Sequence, residues 1–262
     1  MLKRELKINF KMFLVFMLIL VLMLILVFAM YPTIMSSNID IDAMMEMFPK
    51  ELLSAFNMDI ISIESVFGWL VSEGYLFITL LGGIYFGILG GTIVLKEQSD
   101  NTINYLYSKP ISKSHILTSK IVCGLIYLVV FNIILGITTY FGLQYNNDFD
   151  FKNWLLFTIA PVLLELFIFM VSLFISLFLK KTSKGISISI GVIFIMYILS
   201  VLSLLTENLE ILQYFSIFYY MDSAQIILEG TLKLQNVLIT LGLSTLFCGL
   251  TYIGYSKKEL GK

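Results

Sequence analysis

Six stretches of the chain carry about 20 or more apolar residues with almost no charge among them: roughly 11–31, 74–95, 121–143, 154–179, 185–205 and 235–255. About 20 apolar residues in a helix cross the hydrocarbon core of a bilayer. A lipid-exposed open strand would leave backbone groups unpaired there, so each stretch is predicted to be a helix. Between them lie more polar segments, the longest of them 32–73. The expected fold class is therefore an all-α integral membrane protein with six transmembrane helices, forming one domain over residues 1–262.

Smaller patterns refine this picture. In the opening decapeptide, Leu2, Leu6 and Phe10 recur every four residues, with Lys3, Arg4 and Lys7 between them and Lys11 directly after. This predicts an amphipathic N-terminal helix on the inner membrane surface, or else the start of helix 1 with a basic anchor. Met12 to Tyr31 is longer than the core of a cleaved signal peptide, and no small-residue cleavage site follows, so cleavage is not expected. In the 32–73 segment, Pro49-Lys50-Glu51 with Leu52, Leu53 and Phe56 predicts a short amphipathic helix. Leu209 to Tyr220 is apolar but too short to span, which predicts a short re-entrant external segment before helix 6.

Charge settles the expected orientation. With the N-terminus inside, fourteen Lys and Arg fall on the inner side and only Lys50, Lys152 and Lys233 outside. Positive charge collects on the cytoplasmic side of membrane proteins. The chain is thus expected in the cell membrane with both termini cytoplasmic. Composition agrees: 58% of its 262 residues are hydrophobic and 13% charged, against about one-quarter charged in soluble domains.

Candidate chemistry is sparse. The single histidine, the absence of HExxH and GxSxG, and the absence of a phosphate-binding Gly-x4-Gly-Lys-Ser/Thr loop exclude the commonest hydrolase and nucleotide sites. No catalytic residue, metal site, bound cofactor or nucleic-acid partner is expected. Cys123 and Cys248 lie in apolar stretches and read as small hydrophobes. Glu165, four residues after Pro161, is the ionisable residue deep inside a span. It is either a functional intramembrane polar site or a neutral acid bonded to backbone freed by the proline. Gly83, Gly87 and Gly91 share one helix face and predict close helix packing.

The segment Lys96–Lys120 is the most informative. Pro110 ends any preceding helix, and Ser112 is placed to cap a new one carrying Lys113, His115 and Lys120. This is an ordinary loop or a docking element for a cytoplasmic partner. Here the sequence resembles the ABC-2 type permeases of ATP-binding-cassette transporters. The resemblance rests on Glu97, Thr102, Leu106, Ser108, Pro110, Ser112, Lys113 and Lys120, with Asn101 where the family usually has glycine, and on the six-span layout. It implies an exporter permease without its own nucleotide site. ATP and Mg would be bound by a cytoplasmic ABC ATPase subunit in two copies, docked on residues 96–120 at Glu97, Thr102, Leu106, Pro110, Ser112, Lys113, His115 and Lys120. A second permease chain, identical or related, is also implied. Spans poor in charge point to a hydrophobic or amphipathic substrate: peptide, drug or lipid. A secondary carrier and a non-transporting regulatory subunit are the alternatives.

Overall fold

The computed structural model describes residues 1–36, 53, 65–100, 112–204 and 207–257. Six helices in it are long and apolar enough to cross a membrane. They are α1 (Leu2–Ser36), α2 (Val66–Ile93), α3 (Lys113–Tyr145), α4 (Phe151–Ser176), α5 (Thr182–Ser203) and α6 (Leu234–Lys257). Among the described residues there is no strand. The protein is an all-α, multi-pass membrane protein. The short helix expected near Pro49 lies outside the described residues.

Local sequence explains where the helices begin. The Ser112 side chain accepts from the His115 amide at the start of α3. Asp150 accepts from the Asn153 amide at the start of α4, 2.8 Å away. Between them the chain turns at Asn147, which takes a left-handed φ of 57°, a conformation that asparagine tolerates better than most residues. α2 contains one wider π turn, Leu70–Gly74.

α2 and α4 form the centre, and their facing side chains are almost fully buried. α1 and α3 pack together on one flank. α5 lies on the opposite face of α2, and α6 lies against α4 and α3. The glycines of α2 make the central contacts close. A β-carbon on Gly87 would stand 2.7 Å from Ile193 Cδ1, and one on Gly91 would stand 2.8 Å from the Gly185 carbonyl. Gly87 and Gly91 thus face α5, Gly83 lies between Ile168 of α4 and Ile193 of α5, and Gly90 faces the Phe169 backbone of α4.

Two sequence expectations become more specific. Of the two readings of the basic opening segment, the structure shows the start of helix 1: α1 runs unbroken from Leu2 into the first span. Its inward stripe is Glu5, Asn9, Phe13, Met17, Leu20 and Leu24, whereas Phe10, on the expected apolar face, is exposed. Lys120 of α3 and Lys96, just beyond α2, bond Glu5 and Asn9 and select that face for burial. The segment before α6 folds as a 3-10 helix, Glu207–Phe215, and two short helices, Ile217–Tyr220 and Ser223–Glu229. Ile217, Phe218 and Met221 are buried, and the Tyr75 hydroxyl of α2 donates to the Met221 carbonyl.

Candidate functional site

The termini of α1 and α6, the end of α2 and the start of α3 meet at one end of the bundle, which carries most of the described lysines. There Lys120, two turns into α3, is 1% exposed. Its ammonium donates to both oxygens of Glu97 at 2.8 and 2.9 Å, to Glu5 Oε1 at 3.3 Å and to the Ile93 carbonyl at 2.6 Å. Glu97 belongs to the short helix Lys96–Ser99 that follows α2, and Glu5 to α1. One cation therefore ties three helices together.

The surroundings complete the cluster. Lys96 donates to the Asn9 side chain, and Asn9 Nδ2 donates to the Glu5 carbonyl at 2.9 Å. Burial pulls the Lys96 ammonium below its ordinary pKa, against the carboxylates of Glu5 and Glu97, which hold it up. Two cations and two carboxylates are thus gathered in one place. Removing charges from water is costly unless each is paired and hydrogen-bonded, and here the bonds run between separate helices. The Tyr127 hydroxyl also donates to the Leu6 carbonyl, adding a second link between α3 and α1.

Outside the cluster, the first turn of α3 is open. Ser112 and His115 are exposed and Lys113 half-exposed, and Lys113 Nζ donates to the Ser256 carbonyl of α6 at 3.2 Å. The sequence-predicted residues therefore divide. Ser112, Lys113 and His115 stand at a surface. Glu97 and Lys120 do not: they are buried and bonded to each other, and their bonds join helices. Thr102, Leu106 and Pro110 fall outside the described residues.

Glu165 lies at the middle of the bundle with no exposed surface. Its Oε2 accepts from Asn132 Nδ2 of α3 at 2.5 Å, and Asn132 also donates to the Leu128 carbonyl. Its partner is therefore a side chain on another helix, not backbone freed by Pro161. Glu165 Oε1 has no hydrogen-bond partner and lies against Gly82, where a β-carbon would come within 2.2 Å of it. Beside this pair, a groove of about 350 Å3 between α3 and α4 is lined by Asn132, Thr158, Trp154 and aliphatic side chains.

Glu5, Asn9 and Asn132 were not among the sequence-predicted site residues. The signal for Asn132 was present, since it is a polar residue amid an apolar run. Glu5 and Asn9 were concealed by the four basic residues around them. Among the described residues, no three His, Cys, Asp or Glu side chains gather as metal ligands would.

The six-span bundle agrees with the comparison with known families. Residues 5–260 match the family model described as ABC-2 family transporter protein. The chain belongs to that family. The ABC-2 match covers nearly the whole bundle, so the protein is a permease subunit of an ABC transporter and works with an ABC ATPase. No curated protein and no solved structure matches the chain.

Proposed function

We propose that this ABC-2 permease exports a hydrophobic or amphipathic substrate, driven by a separate cytoplasmic ATPase that docks on residues 96–120. In this reading the termini are cytoplasmic. ATP and Mg are bound by two ATPase copies, and a second permease chain completes the path. The observation that carries the reading is the construction of α3. Its first turn offers Ser112, Lys113 and His115 at the surface, and two turns later Lys120 is bonded to α1 and to the end of α2. A push on the exposed turn is passed to three helices through one ammonium. Glu97 and Lys120 then transmit force and do not touch the ATPase. The α3–α4 groove, apolar apart from Asn132, Thr158 and the Trp154 indole N–H, supports an apolar cargo.

The test is affinity purification from the native membrane followed by an ATPase assay. The Lys113→Glu/His115→Glu variant is expected to lose the co-purifying ATPase while keeping the thermal stability of the parent. Glu97→Gln is expected to retain the ATPase but lose stimulation by substrate. An undiminished ATPase partner in the first variant would refute docking at this turn.

The buried Glu165–Asn132 pair favours one rival, a secondary carrier. That reading predicts transport driven by an ion gradient without any ATPase and abolished in Glu165→Gln. ATP-dependent transport that persists in this variant excludes it.

A further inference from the structure

The outer surface of α1 and α3, at the same end of the bundle, holds a second groove of about 350 Å3. Pockets for small molecules run from about 300 to 1,000 Å3. Leu6, Phe10 and Phe13 line it from α1, and Ile126, Tyr127 and Val130 from α3. Phe13 and Tyr127 pack with ring centroids 4.8 Å apart. The Tyr127 hydroxyl is committed to the Leu6 carbonyl, so the groove is apolar except for Lys7.

Depth and charge say what fills it. The uncharged run of α1 begins at Met12 and continues for 20 residues, about 30 Å of helix and the thickness of the hydrocarbon core. Phe10, Phe13 and Val130 therefore lie at the upper boundary of the acyl chains, and Lys7 lies among the headgroups. Lys3, Lys7 and Lys11 recur every four residues and are exposed, with Arg4 beside them. None of the four makes a salt bridge among the described residues. The nearby carboxylate, Glu5, is turned inward to Lys120. A basic cluster at the membrane surface attracts acidic headgroups at about 1 kcal/mol per charge. A second copy of the chain docking through this face would bring the same four cations against their like.

We propose that the α1–α3 groove binds an anionic phospholipid, with an acyl chain between the two helices and the headgroup phosphate held by Lys7 together with Lys3 and Lys11. The inference depends on membrane insertion and is independent of the substrate and the direction of transport.

The experiment is native mass spectrometry of the full chain in mild detergent, titrated with phosphatidylglycerol or phosphatidylcholine. Phosphatidylglycerol is expected to bind tighter than phosphatidylcholine. The Lys3→Gln/Lys7→Gln/Lys11→Gln variant is expected to weaken phosphatidylglycerol about fivefold per lysine removed. The control variant Lys180→Gln/Lys181→Gln/Lys184→Gln removes three exposed lysines elsewhere at the same end and is expected to bind as the parent does. Val130→Trp, which fills the groove, should weaken both lipids without lowering the melting temperature. Equal losses in the two triple variants would reduce the effect to diffuse charge and overturn the site. So would equal binding of the two lipids, parental binding in Val130→Trp, or cross-linking of Val130→Cys chains to one another in native membranes.

Discussion

Lys120 concentrates more structural consequence than any other single side chain here. A Lys120→Met variant would leave Glu97 and Glu5 buried beside each other without their shared cation. Removing one partner of a buried pair costs about 3–5 kcal/mol, so the melting temperature in detergent should fall sharply. Adding Glu97→Gln should recover part of the loss, because one stranded carboxylate disappears. A melting temperature unchanged by Lys120→Met would mean that water reaches the cluster. Deeper in the bundle, Asn132→Leu and Glu165→Gln form a natural double-mutant cycle. Polar pairs within membranes couple by about 0.6 kcal/mol and up to about 1.7, and the 2.5 Å Asn132–Glu165 bond should reach the upper part of that range. At this scale the sequence was half legible. An acid in mid-span draws notice because lipid makes it costly, so Glu165 stood out unaided. Its partner did not, because asparagine costs less to bury and the register of α3 on α4 depends on packing that no local pattern encodes. Glu97 and Lys120 both carry the family resemblance, and 23 residues of separation conceal that they face each other.

Among the elements, the paired glycine surfaces of α2 and α5 decide how near two helices come. Gly91→Leu is expected to abolish the folded bundle, since even a β-carbon there is 2.8 Å from the Gly185 carbonyl and backbone cannot step aside as a side chain can. Gly191→Ala, on the same α5 but with no neighbour within 4 Å of the added carbon, should be neutral or stabilising by up to about 1 kcal/mol. Comparing the yield of monodisperse protein for the two variants checks the contact. Equal yields would place α5 away from α2. The glycine period was readable because small residues every four positions have one geometric meaning in a helix. The unbroken α1 was less so, because the change from basic to apolar at Met12 looks like a boundary in composition, although nothing in it stops a helix. Pro32 lies near its far end, and no glycine occurs before it.

At the scale of the whole molecule, the six-span layout was fully legible, since hydropathy and length suffice when the solvent is lipid. Orientation rests on the fourteen-to-three distribution of Lys and Arg. It predicts that, in a background without Cys123 and Cys248, a membrane-impermeant thiol reagent applied to intact cells labels Tyr145→Cys and spares His115→Cys. Both positions are exposed and sit at opposite ends of α3, so the reverse pattern would invert the topology. The terminal-end cluster also sets a timetable for biogenesis. Glu5 and Lys120 lie 115 residues apart, and Glu97 and Lys120 lie 23 apart. At about 5–20 residues per second of synthesis, Glu97 waits roughly 1–5 s for its cation and Glu5 roughly 6–23 s. Until α3 leaves the ribosome, the first two helices are joined by the Lys96–Asn9 and Trp69–Val27 bonds but lack the Lys120 latch. The newborn half-protein is then an open target for quality control, and the arrival of one lysine ends that exposure.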